Sequence, residues 1–179
     1  MSQNKFSYKK GDCTVEGDFT RLNKLVEELG KKYYVDIGIL GEETYSDGKI
    51  NLAGIGAVQE FGSRDKRTPE RSFIRMPLQT GQEEIEKQVE VNFQKNLEDG
   101  NIKQIFKEIG IAGENRIQDA FDTGGFGTWP ENAPITVHGG WMSRYGKSFF
   151  VKGKESETPL VDTGALAQSI TSKVGSNKK

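Results

Sequence analysis

The chain reads as an α+β protein: a small antiparallel or mixed sheet packed by two long helices, with long glycine-rich loops between elements. Three observations lead there. Tyr33, Val35, Ile37 and Ile39 alternate with Tyr34, Asp36 and Gly38, the period of a half-buried strand rich in aromatic and β-branched residues. Two later segments, Leu78 to Glu98 and Ile102 to Phe121, repeat apolar residues at helical spacing instead. The 22 glycines gather in connections such as Gly124-Gly125-Phe126-Gly127 and His138-Gly139-Gly140, where freedom of the backbone favours loops over regular structure.

The elements follow in order. Residues 1–17 are polar and glycine-containing, and are expected to be a flexible N-terminal arm or an edge strand. Asp18 can cap a short amphipathic helix carried by Leu22, Leu25, Val26 and Leu29 and stopped by Gly30. The strand through Tyr33–Ile39 comes next, then a turn at Ser46-Asp47-Gly48. Asn51 to Phe61 is rich in small residues and predicts a short helix with Gly62 as a left-handed stop. After the charged loop Arg64–Pro69, the run Ser72-Phe73-Ile74 marks a buried step. The first long helix, 78–98, has a narrow stripe of Ile85, Val89 and Phe93, with Leu97 behind it; Asp99-Gly100-Asn101 breaks it. In the second, the stripe drifts at Gly110 and Gly113, which either bend the helix or admit a close neighbour.

Residues 122–157 form an irregular insertion holding both tryptophans and the only histidine, with short strands expected at Pro134–His138 and Ser148–Val151. Leu166–Val174 reads as a turn of helix leading into a strand, and 175–179 as a disordered tail. The predicted organisation is one α+β domain over 18–174, which suits 179 residues of which 34% are hydrophobic.

Composition narrows the function. A net charge of -1 gives no global basic field for nucleic acid. Lone Cys13 has no internal partner and fits a reducing cytoplasm or a disulfide-free assembly. The start, Met1-Ser-Gln-Asn-Lys5, lacks the apolar core of a secretion signal, and no run reaches membrane-spanning length, so a soluble chain with no membrane partner is expected.

Two Asp-Thr-Gly triplets, 122–124 and 162–164, spell the aspartic-protease signature, in which paired carboxylates share a proton. Only residues 165–179 follow the second triplet, too few to close a protease barrel, and the first ends a helix. Asp162 has a simpler reading as the cap of the helix it precedes. His138 has no second histidine for a metal site and no Gly-x-Ser-x-Gly elbow accompanies it. Gly54-Ile-Gly56 and Gly125-Phe-Gly127 do not complete a dinucleotide fingerprint. No catalytic residue, metal ligand or cofactor is assigned. Arg64, Lys66, Arg67, Arg71 and Arg75 form a local basic run suited to solvent, to an acidic partner surface or to DNA in a channel, and Asp65 and Glu70, which interrupt it, weigh against DNA. Trp129 and Trp141 lie in the glycine-rich stretch as core residues or interface anchors.

The ordered series Val35-x-Ile37-x-Ile39, Ala53 to Phe61-Gly62, Pro69-x-Arg71-x-Phe73-Ile74-Arg75, Trp129-Pro130 and Leu160-Val161-Asp162-Thr163-Gly164-Ala165-Leu166-x-x-Ser169-Ile170 resembles the tail-completion, or virion-morphogenesis, proteins of tailed bacteriophages, of the minor tail protein Z type. The resemblance runs from about residue 33 to 174. It implies a structural, non-enzymatic neck protein, assembled in the host cytoplasm and located in the virion. There it forms a homo-oligomeric ring, usually a hexamer, that joins the head connector to the tail terminator or tube and lets DNA pass. A head-proximal minor capsid or tail-terminator protein is the structural alternative, and a cryptic aspartic-type peptidase the enzymatic one. On this reading the candidate interface residues are Glu60, Phe61, Arg64, Arg67, Arg71, Phe73, Arg75, Trp129, Trp141, Asp162 and Leu166.

Overall fold

The computed structural model describes residues 5–41, 51–65, 67–144, 146–154, 159–160 and 164–178. The element order is β1 (Lys5–Lys10), β2 (Cys13–Asp18), α1 (Thr20–Leu29), β3 (Lys31–Ile39), α2 (Leu52–Phe61), α3 (Arg75–Thr80), α4 (Gln82–Glu98), α5 (Ile102–Asp122), α6 (Pro134–His138), β4 (Gly140–Arg144), β5 (Lys147–Val151), α7 (Ala165–Gln168) and β6 (Ile170–Lys178). Among the described residues the strands form three antiparallel pairs, β1–β2, β3–β6 and β4–β5. The protein is therefore α+β, with two long helices, α4 and α5, and small antiparallel sheets.

Strand pair β3–β6 lies against α5 and organises the rest. Val35 pairs with Val174, Ile37 with Ser172 and Ile39 with Ile170, so these residues share the face turned to the helices. Lys32, Tyr34 and Asp36 alternate outward and are exposed. The helix can approach the sheet closely because Gly110 and Gly113 face it. A Cβ at Gly110 would fall 2.4 Å from Ser172 Oγ and 3.3 Å from Val35 Cγ1, and one at Gly113 would fall 2.6 Å from Ile37 Cδ1. Close approach, one of the two roles expected of these glycines, is thus what the packing requires. Gly110→Val is expected to cost about 2 kcal/mol, because overpacking at the helix–sheet contact outweighs the gain in helix propensity. Urea unfolding measures it, and an unchanged midpoint would show that this contact is not tight.

Two apolar clusters result. One joins Phe73, Ile117, Ala120, Phe121, Trp129, Leu166 and Ile170, with Ile37 and Ile39 packed on it. The other joins Val89, Ile102, Ile105 and Ala112 between α4 and α5, with Leu25 and Tyr33 against it. At the second, Glu28 accepts hydrogen bonds from Lys31 Nζ (2.6 Å) and from the Tyr33 hydroxyl. The Lys31 bond first, and the Tyr33 bond after it, hold the Glu28 carboxyl below the ordinary glutamate value. A lowered folded-state pKa favours the fold above the unfolded pKa, and the benefit is lost as pH falls through the folded value. An NMR titration should find Glu28 titrating below the ordinary glutamate value, and Tyr33→Phe should move it back toward that value.

Several expectations are corrected. The first long helix begins earlier and is broken in two: α3 ends at Gly81, where a Cβ would fall 2.7 Å from the Pro77 carbonyl oxygen and 2.3 Å from Arg116 Nε. Gly62 has positive φ (73°) but an extended ψ of 170°, so it ends α2 without being left-handed helical. It leads into a turn closed by Ser63 N–H donating to the Thr68 carbonyl. Pro134–His138 is a helix rather than a strand, with proline at its first turn, where the missing N–H is no loss. Its neighbour β4 was not foreseen and pairs with β5. Residues 175–178 are not a loose tail, because they continue β6 along β3, with Gly175 opposite Tyr34 and Lys178 opposite Lys31. The segment read as arm or edge strand contains the β1–β2 hairpin, continuing to Asp18, whose Oδ1 accepts from Thr20 N (2.8 Å) at the start of α1. The turn expected at Ser46–Gly48 lies outside the described residues.

Candidate assembly interface

The residues singled out in the sequence separate into a buried group and an exposed group. In α2, Leu52, Gly56 and Glu60 recur every fourth position and form its buried face. Gly56 lets the helix lie flat, since a Cβ there would fall 2.7 Å from Ile39 Cδ1 and 3.4 Å from Phe73 Cζ. The last turn therefore carries the Glu60 carboxylate inward, to 5% exposure. It is met there by four donors: Ser72 Oγ at 2.7 Å, Phe73 N at 2.8 Å, Ile74 N at 2.9 Å and Arg75 N at 3.1 Å. These N–H groups lead into α3, so the carboxylate meets backbone dipoles that would otherwise be unpaired. Ser72 Oγ also accepts from Met76 N at 3.0 Å.

Arg71 takes the opposite direction. Its backbone N–H donates to the Gln59 carbonyl at 2.8 Å, and its side chain is 6% exposed. The guanidinium donates from Nε to the Pro130 carbonyl and from Nη2 to the Glu131 carbonyl, both at 2.9 Å, and from Nη2 to Asn132 Oδ1 at 3.4 Å. Burial pulls its pKa below the ordinary arginine value, and the planar fork still suits a pair of carbonyls. Beside it, Trp129 Nε1 donates to the Ser72 carbonyl at 3.3 Å. The Trp129 ring meets Phe121 edge-on at 5.7 Å between centroids, and Phe121 meets Phe73 at 5.3 Å. Glu60, Arg71, Phe73 and Trp129 thus tie α2, α3 and the 129–132 loop to one core, which Leu166 joins from α7.

This corrects the expected interface. Glu60, Arg71, Phe73, Trp129 and Leu166 are buried within the subunit and leave little surface for a partner. The signal for Glu60 was present in the sequence, since it continues the four-residue spacing of Leu52 and Gly56. Ser72 and the carbonyls of Pro130 and Glu131, which complete the cluster, carried no pattern of their own. Phe61 (65% exposed), Arg64, Arg67, Arg75 and Trp141 (74% exposed) do face outward. The basic run is locally balanced: Arg67 Nε lies 3.1 Å from Asp65 Oδ2, and Arg75 Nη2 lies 2.5 Å from Glu70 Oε1 with its guanidinium over the Phe61 ring. Asp162 lies outside the described residues, and the cap position of α7 is held by Gly164 at φ 69°. Asp122 is exposed at the end of α5, and His138 is exposed at the end of α6.

Large apolar side chains are exposed elsewhere. Trp141, Met142, Phe149 and Phe150 project from the β4–β5 hairpin, where Trp141 meets Phe150 edge-on at 5.7 Å. Phe6 and Tyr8 project from β1, and Leu22, Val26 and Leu29 from α1. No helix among the described residues is long and apolar enough to cross a membrane. The fold and this cluster define an α+β protein whose distinctive buried polar side chains tie its own loops together. No protein-family model, curated protein or solved structure matches the chain.

Proposed function

We propose that the protein is a structural component of the neck of a tailed bacteriophage: a tail-completion protein that forms a ring, six copies in the simplest arrangement, between head connector and tail terminator or tube. One observation carries the reading. Residues from each of the separated segments behind the resemblance — Ile37 and Ile39, Gly56, Phe73, Trp129, Leu166 and Ile170 — meet around a single apolar cluster. These buried motif residues hold the core of the subunit together, and on this reading the chain works through the faces it presents. The aromatic residues on the β4–β5 hairpin and the apolar stripe of α1 supply such faces, since contiguous exposed apolar surface marks sites of protein contact. DNA passing through the ring touches backbone-scale charge and needs no sequence-reading residues.

Deleting the gene from the phage that encodes the chain tests the reading. Electron microscopy of the lysate should show DNA-filled heads and free tails that fail to join, and supplying the chain in trans should restore joined particles. Infectious virions of normal titre from the deletion would overturn it, as would particles in which the labelled subunit lies away from the head–tail junction.

A further inference from the structure

We propose that the β4–β5 hairpin of one copy docks on α4 of the next, making the head-to-tail contact of the ring. The inference rests on the assembly reading above and names the surfaces that would carry it out. Trp141 pairs across the hairpin with Phe150, and Met142 with Phe149, so the two faces of one ribbon carry exposed large apolar side chains. A two-stranded ribbon of this kind is marginal in water on its own. Its neighbourhood is also cationic: the segment from Gly140 to Lys154 has four basic residues and no acidic one, in a chain whose net charge is -1. Lys147 and Lys152, at either end of β5, are exposed.

The complementary surface is on the same chain. Glu83, Glu86, Glu90, Phe93 and Leu97 follow at spacings of three and four residues and fall on one side of α4. The three glutamates are exposed, and so is 44% of Phe93. Of the two lysines of α4, Lys95 lies on the other side of the helix, and Lys87 borders the stripe, four residues after Glu83 and three before Glu90. The glutamate stripe covers about 10 Å of helix, and the strand from Lys147 to Lys152 covers about 17 Å. Flexible lysine stems can therefore reach carboxylates while Trp141 or Phe150 covers Phe93.

Charge opposes charge and ring opposes ring, which is the pattern of an apolar contact with an ionic rim. Duplex DNA would satisfy the lysines but offers no unstacked base to the aromatic side chains. Because hairpin and helix are different surfaces, the contact is heterologous, and repeating it generates a closed ring when the rotation permits.

Sedimentation of the full chain over a concentration series, at low and high salt, tests the contact. The unaltered chain should self-associate, less strongly as salt rises. The Lys147→Glu/Lys152→Glu chain and the Glu86→Lys/Glu90→Lys chain should each associate about 100-fold more weakly, since like charges then face one another. All four positions are exposed, so thermal melts of both variants should match the parent. Mixed in equal amounts, the two variants should reassociate, because each reversed hairpin then faces an oppositely charged helix. The proposal is overturned by a parent chain that stays monomeric, by variants that assemble as the parent does, or by a mixture that fails to recover. Duplex DNA retarded by a monomeric parent, and not by the hairpin variant, would assign the hairpin to nucleic acid instead. The deletion phenotype stands apart from all of these: unjoined heads and tails together with unaffected variants would remove this contact and leave the neck assignment intact.

Discussion

Glu60→Ala is expected to lower the unfolding free energy by about 4 kcal/mol, within reach of unfolding a domain whose whole stability is about 5–15 kcal/mol. The reason is the number of donors the carboxylate serves. Its removal leaves the N–H groups of Phe73, Ile74 and Arg75 and the Ser72 hydroxyl without their acceptor, at a site from which water is largely excluded. The lost helix-start interaction adds to the desolvation cost. Glu60→Gln separates the contributions. One amide end still accepts from two donors, while the NH2 end faces a hydroxyl that can turn and an N–H that cannot. Its cost should be smaller, about 2 kcal/mol. Chemical unfolding of the three proteins under identical conditions measures both numbers. A Glu60→Ala protein with a midpoint close to the parent would mean that water enters and replaces the carboxylate, and the cluster would then not be the tie between α2 and α3.

The periodic elements of this chain were legible in its sequence because each is governed by neighbours a few residues away. The alternation of Tyr33, Val35, Ile37 and Ile39 became β3, and Gly110 and Gly113 marked either a bend or a close neighbour, of which the packing shows the neighbour. Long-range pairing was not legible in the same way. Gly175, Ser176 and Asn177 look like a loose end by composition, yet β3 supplies a complementary edge more than 130 positions earlier and orders them as strand. Pro134–His138 carries β-branched residues that favour strand, but proline at the first turn and the Thr136 N–H bond to the Ala133 carbonyl settle it as helix. The site divides along the same line. Phe61 and Trp141, named as candidate contact residues, are exposed, whereas Glu60 and Arg71, named with them, are buried. Their burial depends on backbone donors at 73–75 and carbonyls at 130–131, which any sequence possesses and none advertises.

Arg71→Ala should be the second most damaging change, costing about 3 kcal/mol, and its effect should begin far from position 71 in sequence. The guanidinium is what holds the Pro130 and Glu131 carbonyls, and with them the loop that keeps Trp129 edge-on to Phe121. Without it those carbonyls lose their guanidinium donor, and Trp129 keeps its Nε1–H bond to the Ser72 carbonyl at 3.3 Å and its backbone N–H bond to the Gly124 carbonyl at 3.1 Å. Arg71→Lys keeps a positive charge but replaces a planar fork with a single ammonium, which cannot serve Pro130 and Glu131 in the same geometry, so it should recover less than half of the loss. Fluorescence reports this directly once Trp141→Phe removes the exposed indole and leaves Trp129 as the sole emitter. In that background Arg71→Ala should shift emission to the red at denaturant concentrations below the main unfolding transition, as the 129–132 loop lifts before the helices part. If emission and helix content instead change together and at the parent's midpoint, the loop is held by the apolar contacts of Trp129 alone and the arginine contributes nothing to it.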